Sequence, residues 1–182
     1  MPGPHDEDER QALAMEGGGR DSHRVAAAVG ELASSGERCI TVATAESLTG
    51  GEVATRLGRT AGSGEWFAGG VVAYSPRVKQ EVLGVEPGPV VTPECAQQMA
   101  EGARRLLGVD VAVSMTGVGG PGEDEGQPAG TVHFAVAGPH GTTRNARLFE
   151  GEPDEVVERT VLVALELLES ALRELRGADP AA

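Results

Sequence analysis

The chain has 182 residues and a formal net charge of −13, with 40% hydrophobic residues but only 3% aromatic ones. That length suits one domain with a core of its own, and the core must be built from Val, Leu and Ala. Such an acidic surface repels nucleic-acid phosphates and anionic membranes, which argues against both as partners, while a small anionic ligand held in a local pocket stays compatible with it.

Residues 1–21 are rich in charge, Gly and Pro, and read as a disordered acidic arm. The ordered domain is expected over 22–177, followed by a frayed tail at 178–182. "RVAAAVGELASSG" (24–36) has apolar residues at helical spacing and ends on a glycine stop. "CITVATA" (39–45) is a short apolar run suited to a buried strand. "TGGEVATRLGRT" (49–60) reads as a helix, with Thr49 and Glu52 in the spacing of a capping box. "FAGGVVAYS" (67–75) is a strand. "PRVKQEVLG" (76–84) is a short helix with Ser75 as N-cap and Pro76 at its first position. "TPECAQQMAEGARRLLG" (92–108) is a helix that starts the same way, and "DVAVSMT" (110–116) is a strand. "TVHFAVAG" (131–138) and "TTRNARLFE" (142–150) form a hairpin around "PHG". One long helix, 153–177, closes the domain. Helices before and after the strands imply an α/β fold, a three-layer αβα sandwich around a mixed sheet.

Two cysteines, Cys39 and Cys95, lack the C-x-x-C spacing of a zinc or redox site and fit a reducing cytoplasm. No apolar run reaches the roughly 18 residues that span a membrane. The N-terminal stretch lacks the basic-then-apolar order of a signal peptide. These points together predict a cytoplasmic location.

Three stretches carry chemistry. In "TAESLTGG" (44–51), Ser47 sits in the tight connection from strand to helix, at the carboxyl edge of a sheet where α/β ligands bind. Gly50 and Gly51 follow, and their amides, with the helix N-terminus, suit an oxyanion or phosphate. Helix capping by Ser47 and Thr49 explains the same residues equally well. In "VVAYSPRVKQ" (71–80) lie the chain's one tyrosine, Tyr74, and its one lysine, Lys79, among fourteen arginines. Arginine keeps its proton near neutral pH, whereas a lysine near a helix N-terminus and partly buried is pushed toward its neutral form. A neutral lysine can activate a serine without histidine. The ordinary alternative is a surface lysine. In "MTGVGGPGEDEGQPAGTV" (115–132), a strand ends at Thr116 and enters a loop with Gly117, Gly119, Gly120 and Gly122. Backbone amides there could crowd a ligand, and a plain flexible loop is as good a reading. The loop is neither a Walker A motif nor a dinucleotide fingerprint. His133 reads as a strand-face residue and "GEDEG" as a solvated loop. No metal-ligand spacing occurs.

"TAESLTGG", "GSGEWFAGGVVAYSPRVKQEVLGV", "TGVGGPG" and "PAGTVHFAVAG" stand in the order and spacing of the CinA C-terminal domain family, and the resemblance covers roughly 24–176. That family includes stand-alone nicotinamide mononucleotide deamidases. The resemblance implies an amidohydrolase that releases ammonia from a nicotinamide nucleotide through a Ser/Lys pair, with no metal and no cofactor. Ser47 then matches the nucleophile, Lys79 the base and Tyr74 the tyrosine of the same motif. Glu46, Thr49, Gly50, Gly51, Thr116, Gly117 and Gly120 are the motif positions expected around the substrate. Backbone amides at the helix start would hold the oxyanion. The family and the apolar middle of the last helix suggest a homo-oligomer. The sequence departs from the family in three places. Pro153 stands where an arginine usually starts the last helix, with Arg159 further along. Gln127 replaces a lysine, and 84–94 is short. These changes favour, as the alternative, a substrate-shifted or catalytically silent domain that binds a nucleotide or a partner. The pyrophosphatase-like domain of longer CinA proteins is not matched, so its activity is not expected.

Overall fold

A computed structural model describes residues 21–177 of the chain. The N-terminal arm up to residue 20 and the tail 178–182 lie outside the described residues. Asp21, counted above with the arm, belongs to the domain. Its carboxylate accepts from the His23 N–H and so caps helix α1 (Ser22–Ser34).

The elements alternate in chain order. Strand β1 (Val42–Glu46) is followed by α2 (Glu52–Gly58), the one-turn helix α3 (Ser63–Trp66) and β2 (Phe67–Val72). Next come α4 (Pro76–Leu83), α5 (Pro93–Leu107), β3 (Val111–Gly117), β4 (Thr131–Gly138), β5 (Gly141–Leu148) and α6 (Pro153–Gly177). The four-residue α3 was not foreseen, since one helical turn has no periodicity to detect.

The sheet order is β2-β1-β3-β4-β5. β1 runs parallel to both β2 and β3, and β4 and β5 are antiparallel additions. The mixed three-layer sandwich read from the sequence is therefore the observed architecture. Alternation along the strands feeds two aliphatic cores. Val42, Val111, Val113, Met115, Phe134 and Val136 meet α1, α2 and α6 on one face. Ala43, Ala45 and Ala112 meet Leu83, Cys95, Met99 and Ala103 of α4 and α5 on the other.

Register brings the three parallel strands to a common edge. Glu46 is level with Val72 on one side and Met115 on the other. Residues just past those positions, Ser47, Ala73–Tyr74 and Thr116, therefore gather at one carboxyl edge. Because successive strand side chains point to opposite faces, Glu46 turns toward α2 and Ser47 turns toward α4.

Glu46 fixes this turn. It is completely buried, and its carboxyl group accepts from the amides of Gly51, Val53 and Ala54 and from the hydroxyls of Thr44 and Thr49. The expected capping box is thus replaced. The N-cap is Gly51, and the Thr49 hydroxyl donates to Glu46 instead of accepting from the helix. Gly51 has φ of 104°, which strains any residue with a Cβ. The helix begins at Glu52, three residues later than predicted.

Ser75 and Thr92 cap α4 and α5 as the sequence indicated, each followed by a proline. The two helices cross at Gly102, where a Cβ would lie 2.0 Å from the Leu83 carbonyl oxygen. An alanine inside a helix normally stabilises it by about 1 kcal/mol over glycine. Here backbone meets backbone and cannot yield, so Gly102→Ala is expected to lower stability by about 1–3 kcal/mol in urea unfolding. Glu46→Gln places an amide donor against N–H and O–H donors, and a loss of about 2 kcal/mol or more is expected in the same assay.

Candidate active site

Lys79 is one turn into α4, and its side chain runs inward beneath the edge of the sheet. It is 1% exposed, and Ser47 is 7% exposed. Lys79 Nζ lies 2.9 Å from Ser47 Oγ, 2.8 Å from the Ala73 carbonyl oxygen and 3.4 Å from that of Tyr74. Burial pushes the amine below its usual range, while Cys95 and Glu125 pull it partly back.

The three contacts define what the amine can do. A neutral amine has two N–H donors and one lone pair. Carbonyl oxygens only accept, so Ala73 and Tyr74 take the two N–H groups. Ser47 is the one neighbour with a proton to give, so the lone pair faces its hydroxyl. If Lys79 takes that proton, all three of its N–H groups already have acceptors. The constellation is therefore geometrically complete for general-base activation of a hydroxyl.

Tyr74, the tyrosine expected from the motif beside the pair, contributes only through its backbone. Its side chain is 69% exposed, and only its backbone carbonyl reaches Lys79. Glu46 and Thr49 are tied to each other in the turn behind Ser47, and Glu46 is fully engaged with protein donors. Their role here is to place Ser47. Since Glu46 takes the Gly51, Val53 and Ala54 amides, the α2 start cannot offer those groups to an oxyanion. The Gly50 N–H is also engaged, to the Ser47 carbonyl.

Thr116 is buried, and its hydroxyl donates to the Val90 carbonyl at 2.8 Å. It also lies against the Cys95 thiol. Gly117 is required by packing, because a Cβ there would lie 2.4 Å from the Thr131 carbonyl oxygen. Gly120 has φ of 92° and sits against Ala129 and Pro153. Pro153 thus packs on the glycine-rich loop at the α6 start. Arg159 does not point to Ser47 by any hydrogen bond; it donates to the Glu150 carbonyl.

Two residues near the pair were not singled out from sequence. Cys95, in the first turn of α5, is 2% exposed, and burial raises its thiol to about 11. Glu125 reaches into the same field from the loop after β3. Neither has a motif: a buried cysteine and one acid in an acidic loop look ordinary. His133 lies opposite Thr116 on β4. Burial lowers its pKa, and its Nδ1 has no partner among the described residues. Among the described residues no group of three or more His, Cys, Asp or Glu could hold a metal ion. No described helix is long and apolar enough to cross a membrane. A cavity of about 370 Å³ lies elsewhere, between β4–β5 and the C-terminal half of α6, and touches none of these residues.

Comparison with known proteins identifies the family. Residues 22–172 match the CinA C-terminal domain. A CinA-like protein of Anaeromyxobacter dehalogenans is 44% identical over 151 residues, covering 80% of this chain and 36% of that protein. A CinA-like protein of Mycolicibacterium vanbaalenii is 45% identical over 139 residues, covering 72% and 33%. The chain thus spans about a third of the length of these curated relatives. Among solved structures, a CinA superfamily protein of Klebsiella pneumoniae superposes with a TM-score of 0.78 at 31% identity, covering 85% of this chain and 99% of the other. A competence/damage inducible protein of Agrobacterium tumefaciens gives 0.76 at 32% identity, covering 85% and 96%. By sequence over most of its length and by the shape of its sheet and helices, the chain belongs to the CinA C-terminal domain family.

Proposed function

We propose that this domain is a serine amidohydrolase acting on the carboxamide of a nicotinamide nucleotide, yielding the nicotinate nucleotide and ammonia. The observation that carries the reading is the buried 2.9 Å contact between Lys79 Nζ and Ser47 Oγ. The pyridine nucleotide as substrate rests on the motif resemblance described above; the lysine–serine contact supports the reaction type.

In the proposed reaction Lys79 removes the Ser47 proton as Oγ attacks the amide carbon. The tetrahedral oxyanion needs N–H donors near Oγ. The amides of Leu48 and Thr49, next along the chain, have no acceptor among the described residues and fill this role. This replaces the α2 amides named from sequence, which Glu46 holds. Protonated Lys79 then passes its proton to the leaving nitrogen, and ammonia departs. Water, deprotonated by the same amine, releases the acyl group from Ser47. No external base is needed at either step.

A second reading, a substrate-shifted or silent nucleotide-binding domain, is favoured by one observation. Pro153 packs against Gly120 where the family's arginine is expected, and Arg159 is spent on Glu150. A missing cation of that kind would weaken binding of a phosphate or carboxylate.

Purified protein incubated with nicotinamide mononucleotide is expected to release ammonia, and Ser47→Ala to release none. Lys79→Arg keeps the charge but cannot act as base, and a loss of at least about 10²-fold in kcat is expected. Ammonia release equal in Ser47→Ala and parent would reject the reading. Release absent from folded parent protein would favour the second one.

The pH dependence has a fixed sign. The active form is neutral Lys79, so kcat/KM should rise with pH through the lysine's apparent pKa and then level off. Desolvation sets that midpoint below 10.5. A rate that falls as pH rises through this range would be inconsistent with Lys79 as base.

A further inference from the structure

The glycine-rich loop between β3 and β4 is fastened across the chain at one side chain. Residues 124–127 form a tight turn, with the Asp124 and Gln127 backbones exchanging N–H to O contacts of 3.1 and 2.8 Å. Its two central residues, Glu125 and Gly126, have φ of 50° and 73°. Positive φ at both central positions is the type I′ arrangement, which favours Asn, Asp or Gly at the first. Glu125 is the one non-glycine residue with positive φ among the described residues. Strain of this kind persists only where surrounding contacts hold it.

The contacts are specific. Glu125 Oε2 accepts from the Val90 amide at 2.7 Å and the Val91 amide at 2.8 Å. Two successive backbone N–H groups on one carboxylate oxygen make a small anion-holding nest. The same peptide segment is gripped from behind, because the Thr116 hydroxyl donates to the Val90 carbonyl. Thr116 is at the end of β3, where the chain enters the loop, and Glu125 is near the loop's tip, so the two close a ring around Val90–Val91. Val91 leads directly to Thr92, the cap of α5, whose first turn carries Cys95. At its other end the loop's Gly119 lies over Leu48, next to Ser47. The titratable groups acting on Lys79 are Cys95 from α5 and Glu125 from the loop.

We propose that Glu125 is a positioning residue for the Ser47–Lys79 pair, a latch that fastens the glycine-rich loop to Val90 and Val91 over the site and keeps a negative charge facing the lysine. It rests on the Ser47–Lys79 reading above but not on any particular substrate. The latch accounts for an exposed acidic turn that adopts a strained backbone. Its charge acts against the desolvation of the buried amine.

Two variants separate the two functions. Glu125→Gln keeps an oxygen that can accept both amides and removes the charge. Glu125→Ala removes both. Lys79 is the only lysine, so lysine labelled with ¹³C at Cε gives one side-chain resonance whose pH titration needs no substrate. In Glu125→Gln that titration is expected to move to lower pH than in the parent, with the Val90 and Val91 amides still protected from hydrogen exchange. In Glu125→Ala those two amides are expected to exchange faster by about tenfold or more. If the deamidase activity is present, kcat/KM of Glu125→Ala should also fall by about tenfold. An unmoved Lys79 titration in Glu125→Gln, or unchanged Val90 and Val91 exchange in Glu125→Ala, overturns the proposal. Absence of activity on nicotinamide mononucleotide with both spectroscopic changes present would count against the substrate alone.

Discussion

A primary amine has three directions around its nitrogen, and at Lys79 all three end on protein oxygens. Much of the fold can be read from that constraint. The amine is almost completely buried, so its charged form is costly there. Two of the oxygens are backbone carbonyls at the end of β2, fixed by the strand register and by the Ala73 amide donating to the Glu46 backbone carbonyl. The third belongs to Ser47, aimed by strand alternation from Glu46. Helix α4 has to bring a long side chain to this point, and it is held there by close backbone contact with α5 at Gly102. Alanine at 43, 45, 73 and 112 leaves room for it on this face.

The neighbouring pair Glu46 and Ser47 divides the work of one turn. The glutamate is turned to the α2 side and saturates the helix start, and the serine is turned to the α4 side and meets the lysine. A carboxyl group reaching forward to three amides does what the side chain of an N-cap residue usually does, and it leaves the cap position itself to a left-handed glycine. The serine is therefore free of capping duty, which resolves the ambiguity that its position in the sequence presented.

The strand and helix pattern was legible because it is local. Periodicity located the elements, and the Ser-Pro and Thr-Pro pairs marked the starts of α4 and α5. The motif residues Ser47 and Lys79 could be named, but their meeting could not, since it depends on a register linking segments 32 residues apart. The capping box at Thr49 was misread because a residue outside the helix, Glu46, outcompetes the local pattern. Tyr74 can be named from its motif, but not that its carbonyl is what faces inward; side-chain chemistry is written in a sequence and backbone direction is not. Glu125 was invisible for a related reason. Its partners are amides, which every residue possesses, and an acid in an acidic loop carries no distinguishing mark.

The burial of the one lysine also shapes how the molecule meets other chemistry. With its other cations carried by arginine and histidine, the folded domain shows solvent no ε-amine at all. Acylating reagents, aldehydes, sugars and amine-directed cross-linkers find no lysine on its surface. Enzymes that mark proteins on lysine meet the same blank surface. Any adduct on that side chain would record a moment when the domain had opened, which makes the residue a built-in reporter of the chain's own unfolding.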